Sequence, residues 1–483
     1  MMKKVLPLFL IAFFAVIGCD NPNADRENKN GDKKAAHDHD HDHAHDHDHD
    51  HDHSHDSGST DEETWDAYPG TTGGEFLFDL DSIEAGPGVT EYSPKNNSAI
   101  TLVAYDAPQQ AEPQPFYGQQ RANRPTGQAT AFPAIVGPPR IFWDLPEDIH
   151  NPDGLTVSED GRTLYMCCPN FNGRENDKGP KKNGGFLLSF NLQGRPQMEK
   201  LLEFPPLEET GQFGCMGLDF GPDGHLYVCD NQYFFNPDHK SRIVRVLMNG
   251  KKPTGKIEVV ATGMKLANAI LWMKDKLLVT DTFLELEGKW GSGGIWAFTK
   301  EEALKAGRGD NPPIALKPNG TDPHLALVEE SENIGRGDNA GADGMTCTPD
   351  GVVYFGNFGD GAMYRVVFDK NLKATVEKIH KAGEVFSCCD GIFYDKRTNK
   401  IYINDSEKNA IRAFKPVKAG EKPKFEVIWE NGDTDGTDGL LDQPCECVVV
   451  GQRMIICNFD WPFPGLLNAS FDTPYTMSEI TLK

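Results

Sequence analysis

CMGLDFGPDGHLYVCDN, running from Cys215 to Asn231, is an apolar strand, a Pro-Asp-Gly turn and a second apolar strand ending in Asp and Asn. The same pattern recurs as NPDGLTVSEDGRTLYM from Asn151, LANAILWMKDKLLVTDT from Leu266 and GADGMTCTPDGVVYFGNF from Gly341. CCDGIFYDKRTNKIYINDS from Cys388 and PCECVVVGQRMIICNFD from Pro444 complete the set. Strand–turn–strand units recurring every fifty to seventy-five residues or so predict a β-propeller, whose inner strands line one central channel.

Third strands follow the Asp/Asn endings: GGFLLSFNL from Gly184, SRIVRVLM from Ser241, GGIWAFT from Gly293, GAMYRVVFD from Gly361 and AIRAFKP from Ala410. The fold class is therefore all-β, a six-bladed propeller with four-stranded blades over residues 132–483. Helix is confined to short runs such as KEEALKAG from Lys300, and the polar stretch 301–336 reads as a loop over one face. Residues 67–131, rich in Gly, Pro and Gln, form an extension before the repeats. It holds GEFLFDL from Gly74 and AITLVAYD from Ala99. One of these, or AFPAIVG from Ala131, is expected to pair with the last blade, since an open edge strand invites aggregation.

The N-terminus reads as an export signal. Lys3 and Lys4 precede an apolar run too short to span a bilayer comfortably, and Val16-Ile17-Gly18-Cys19 resembles a bacterial lipobox. Residues 1–18 are then the signal peptide and Cys19 the lipidated first residue. The expected location is the bacterial cell envelope, anchored to a membrane through lipid on its periplasmic or surface face. Residues 19–66 are too polar to fold and read as a disordered linker. Within it, residues 37–56 alternate His37, His39, His41, His43, His45, His47, His49, His51, His53 and His55 with acids. Imidazoles and carboxylates on a flexible chain can chelate Zn²⁺, Ni²⁺ or Cu²⁺ without a preformed site, or simply serve as a solvated spacer.

The formal charge of −25 is inflated by that tract, yet the remainder is still acidic, which argues against nucleic acid as a partner. Beyond Cys19 ten cysteines remain, an even number that in an exported protein favours disulfides. Hairpin register sets Cys215 opposite Cys229, and Cys457 beside Cys445 or Cys447. The alternatives are buried free thiols or a thiolate metal site.

The residues opening the inner strands are Asp153, Met216 or Gly217, Asn268, Asp343, Asp390 and Glu446. Oxygen donors converging on one axis repel one another unless a divalent cation joins them. The competing reading is that Asp-Gly pairs are local turn formers. That does not cover Asn268 in LANAILW or Glu446 in PCECVVV.

With these residues the chain resembles the SMP-30/gluconolactonase/LRE-like family of six-bladed propellers. Asn268-Ala269-Ile270-Leu271-Trp272 is similar to that family's Asn-Gly-Leu-x-Trp, and Asp343-Gly344-Met345 to its Asp-Gly-Met. The resemblance implies a metal held by Asn268, Asp343 and Glu446, with Glu446 in place by a circular shift of blade order. It implies Ca²⁺ before Mg²⁺, Mn²⁺ or Zn²⁺, and hydrolysis of a lactone or ester, possible substrates including a sugar lactone. Asp343 or Asp390 would activate the water. Asp153 and His150 are further channel candidates, His150 being a base or a hydrogen-bonded rim residue. Two departures stand out: no Glu-Gly-Pro-x-Trp precedes Asp153, and Cys215-Met216-Gly217 replaces an amide-bearing motif. The absence of GxSxG weighs against a serine hydrolase. A propeller that binds without catalysing, and a metal-capture lipoprotein working through its His/Asp tract, are the alternatives.

Overall fold

Six sheets built on the repeated hairpins make up the protein. The computed structural model describes residues 89–92, 100–103, 134–171, 184–236, 238–284, 286, 292–317, 320–332, 340–463 and 465–483. The expectations for the signal peptide, Cys19, the linker and the His/Asp tract lie outside these residues, as does most of the 67–131 extension. Among the described residues no helix is long and apolar enough to cross a membrane.

Blade one comprises Leu155–Val157, Thr163–Cys168, Phe186–Asn191 and Gln197–Glu203, each strand antiparallel to the next. Blade two begins with Gly214–Phe220, blade three with Ala267–Trp272, blade four with Ala342–Cys347, blade five with Ile392–Asp395 and blade six with Pro444–Val450. Inner strands touch in sequence order around the ring, and blade six returns to blade one. Every blade has at least four strands, in the order the hairpins dictate.

The ring closes with an N-terminal strand, but not where expected. Arg140–Asp144 is the fourth strand of blade six, paired antiparallel with Thr476–Thr481. The described part of AFPAIVG also meets the last strand, through a bridge between Ile135 and Leu482 and bonds from Val136 N to Thr481 O (2.9 Å) and from Lys483 N to Ala134 O (3.1 Å). Ile100–Val103, within the expected AITLVAYD strand, runs parallel to the outer edge of blade three instead. The polar stretch 301–336 is likewise no mere loop. It holds the capped helix Lys300–Lys305, a short strand Ile314–Ala315 on blade two, and Leu325–Glu330, the fourth strand of blade three.

The acid or amide ending each second strand has a structural task. Asp230 Oδ1 accepts from Gly214 N (3.0 Å), Asp281 Oδ1 from Leu266 N (2.8 Å), and Asn404 Nδ2 donates to Gly391 O (2.7 Å). All three are fully buried and tie the second strand to the approach of the inner one. Blades are also stitched to their neighbours: Trp272 N donates to Asp219 Oδ2 (2.7 Å) and Tyr394 N to Thr346 Oγ1 (3.1 Å). Burial pushes Asp219 up to about 7 against those amide bonds.

The expected disulfides are not formed. All ten cysteines of the propeller are free and buried. Cys215 Sγ donates to Phe186 O (3.6 Å) across blades two and one, and Cys445 Sγ to Cys457 O (3.5 Å) inside blade six. The register also differs by one residue from the reading above: Cys215 faces Asp230 and Glu446 faces Cys457. A bulge between Cys215 and Leu218, and another between Pro444 and Glu446, accounts for the slip, because a bulge adds one residue to one strand only.

Candidate functional site

Four of the inner-strand residues singled out from the repeats, Asp153, Asn268, Asp343 and Asp390, line one axial cavity with Met216 and Cys445. The Asp-Gly pairs are not turns here. A Cβ on Gly154 would lie 2.4 Å from Met216 O, one on Gly344 2.2 Å from Asp390 O, and one on Gly391 2.5 Å from Cys445 O. Each glycine lets the next blade's inner strand press against the backbone, which holds the preceding carboxylate at the axis.

Asn268 is oriented by blade four. Its Nδ2 donates to Thr282 Oγ1 (3.2 Å), which in turn donates to Ala342 O (2.8 Å), leaving the amide oxygen for the channel. Asp390 accepts from Gly391 N (3.0 Å), and Ser406 Oγ stands 2.7 Å from its Oδ2. Asp343 is only 4 % exposed.

Glu446 is not among the residues lining the cavity. Its carboxylate lies against Gly391, beside Asp390, and accepts from its neighbour Cys447 N (2.9 Å). Burial, then Asp390 and Asp153, holds Glu446 well above the usual carboxylate range. Asp153 is raised well above it too, by burial first and by the charge of Asp390 second.

His150 does not line the cavity. Its Nε2 lies 2.8 Å from Glu147 O, its amide donates to Asn170 Oδ1 (2.7 Å), and its ring stacks on Tyr475.

Several lining residues had no part in the sequence reading. Phe234, Phe283, Phe358, Phe459 and Phe463 give the cavity an apolar wall, and Gln443 adds an amide. Phe459-Asp460-Trp461-Pro462-Phe463 carried the signal: three aromatics at alternate positions just after an inner hairpin. Gln443 adopts φ 57°, and its Oε1 accepts from Trp461 N and from Asn468 Nδ2 (3.4 Å). That bond fixes the aromatic segment beside the cavity.

The donor set suits a hard cation in kind, being carboxylates and an amide oxygen with thiols that burial keeps protonated. It is not drawn together as one coordination shell. Among the described residues, the acidic, His or Cys side chains that do converge in a group of three are Asp442, Asp460 and Asp472.

No protein-family model matches the chain, and no curated protein matches it either. Solved structures similar to it include a gluconolactonase from Xanthomonas campestris, 13 % identical, covering 75 % of this chain and 99 % of that one with a TM-score of 0.40. The periplasmic gluconolactonase of Pseudomonas aeruginosa is 13 % identical, with coverages of 69 % and 89 % and a TM-score of 0.41. An aldose sugar dehydrogenase from Streptomyces coelicolor, in a PQQ-bound form, is 14 % identical, with coverages of 73 % and 100 % and a TM-score of 0.44. Lactonases and a dehydrogenase stand side by side at these values, so the likeness does not choose a chemistry.

Proposed function

We propose that the axial cavity hydrolyses a lactone or ester of a small molecule, a sugar lactone among the candidates. The observation that carries this reading is the convergence of Asp153, Asn268, Asp343 and Asp390 on one cavity with apolar walls. Asn268, Asp343 and Glu446 are the residues that would hold a divalent cation, Ca²⁺ by preference for an all-oxygen set. When bound, such an ion supplies polarisation of the substrate carbonyl.

The chain's own residues supply the rest. Asp390, braced by Ser406 and the Gly391 amide, orients a water and takes its proton, with Asp343 as the alternative base. Asp153, its carboxyl held well above the usual range by burial and then by Asp390, is placed to give a proton to the leaving oxygen. The phenylalanines hold the substrate's apolar face and exclude water from the reacting carbonyl. Upstream, the Val16–Cys19 lipobox supports a lipid anchor in the cell envelope, and the His/Asp tract supports metal capture beside the membrane.

A second reading keeps the same cavity as a binding site without turnover. Met216, standing where an amide would contact substrate, favours it. Lactone hydrolysis measured with added Ca²⁺ and with chelator decides between them. Asp343→Ala and Glu446→Gln are expected to lower the rate by about 10²–10⁴-fold. A rate indifferent to chelator and to both substitutions overturns the proposed site, and binding without any hydrolysis selects the second reading.

A further inference from the structure

Two residues outside the inner hairpin of blade six lie Asp442 on one arm and Asp460 on the other. Pro444 pairs with Asn458, so the register sets these two carboxylates face to face. Asp472 joins them from the loop that returns toward Thr476–Thr481, and its amide donates to Asp460 Oδ2 (2.7 Å). One carboxylate oxygen from each of the three lies within 4.8 Å of the others.

Asp442 is 2 % and Asp460 1 % exposed, so water does not screen them. Asp460 is partly satisfied, accepting from Asn468 Nδ2 (2.9 Å) as well as from Asp472 N. Asp472 Oδ2 accepts from Ser470 Oγ (3.1 Å). Asp442 differs: its Oδ1 is buried with no hydrogen-bond partner at all. A buried carboxyl with an unpartnered oxygen, grouped with two other carboxylates, is suited to a positive charge. Burial, then the carboxylates of Asp460, Asp472, Asp433 and Asp435, pushes Asp442 up to about 9.

We infer that Asp442, Asp460 and Asp472 form a Ca²⁺ site, separate from the channel set, that fastens the aromatic segment to blade six. Carboxylate oxygens this close can bond one ion, and a hard all-oxygen set open to water on one side suits Ca²⁺, which tolerates irregular geometry better than Mg²⁺. Asp472 is partly exposed, so water can fill the remaining coordination positions. The site joins residues that reach the channel. Gln443 follows Asp442, Phe459 precedes Asp460, and all of Gln443, Phe459 and Phe463 line the axial cavity. The ion would therefore set the wall of the cavity without touching substrate. This inference holds whether or not the channel is catalytic.

The test uses Tb³⁺ as probe on the full chain, with Trp461, next to Asp460, as sensitiser. Wild type is expected to show sensitised emission that Ca²⁺ displaces. Asp442→Asn and Asp460→Asn should lose it at least tenfold, whereas Asp219→Asn, outside both groups of acids, should keep it. Asp472→Asn, at the exposed edge of the site, covers the case in which a buried variant fails to fold. Ca²⁺ should also raise the melting temperature of wild type by several degrees, and of Asp442→Asn by clearly less, any remainder belonging to the channel set. Emission unchanged in all three triad variants, or a wild-type melting temperature indifferent to Ca²⁺, overturns the site.

Discussion

At the channel axis Asp390 leans on Ser406 and the Gly391 amide, and Glu446 on the Cys447 amide; beside blade six, Asp442 Oδ1 accepts nothing although Asp460 and Asp472 crowd it. Both regions collect buried acids that burial alone would drive to protonation. In the channel each acid arrives from a different blade, and the acids are parted by a cavity with room for a small molecule. In the loop the acids hang from one hairpin and its return, and one oxygen of each lies close to the other two. Spacing, more than acidity, separates a site that admits a substrate from one with room for an ion alone.

The largest way to break this contrast is to damage the spacing device of the channel. Gly344→Ala puts a methyl 2.2 Å from Asp390 O, and backbone cannot step aside as a flexible side chain can. A loss of about 3 kcal/mol is expected, with a melting temperature roughly 6–12 °C lower. Calorimetry with and without Ca²⁺ makes the distinction: the Ca²⁺-dependent increment should persist, because the triad belongs to another blade. If Gly344→Ala melts like wild type, the inner strands do not depend on that contact.

The hairpins were legible because they are local: turn residues and apolar runs lie within twenty residues of one another, and six copies reinforce the reading. The ring of channel residues was legible for the same reason, since the repeat marks one equivalent position in every blade. What failed was non-local. Leu325–Glu330 is parted from its blade by a helix and an edge strand, so no hairpin signal announces it. Arg140–Asp144 follows the general need for closure, but RIFWD carries no mark that sets it apart from the candidates before it. Bulges moved Cys215 and Glu446 by one place, and a bulge leaves no imprint in apolar alternation. The triad was half visible: Asp442 and Asp460 are symmetric about a hairpin that had been read, while Asp472 needed the fold.

Asp219 sharpens the comparison as a buried acid outside both clusters, satisfied by the amides of Trp272 and Phe220. Burial raises it from 3.8 to about 7, so the native state keeps a proton that the unfolded chain releases above pH 3.8. Its stabilisation is whole below that pH and fades as pH rises through 7. Asp219→Asn removes the titration. Urea melts between pH 4 and 7 should show wild type losing ground to the variant by at most about 1.4 kcal/mol per pH unit. A constant difference across that range would mean that burial is not what governs this carboxyl.

The smallest effect is also the one that discriminates best, because its sign changes. In chelator, Asp442→Asn removes a carboxyl that burial and its acidic neighbours oblige to take up a proton on folding, and should stabilise the protein by about 1 kcal/mol. With Ca²⁺ at a hundred times its dissociation constant, wild type gains about 2.7 kcal/mol that the variant cannot, so the order reverses. Asp390→Asn has no such crossing: it weakens the Ser406 and Gly391 hydrogen bonds by about 1 kcal/mol in either condition. Four denaturation curves, two variants with and without Ca²⁺, contain the whole contrast. A crossing at Asp390 instead of Asp442 would move the ion to the channel, and with it the reason the aromatic segment holds its place beside the cavity.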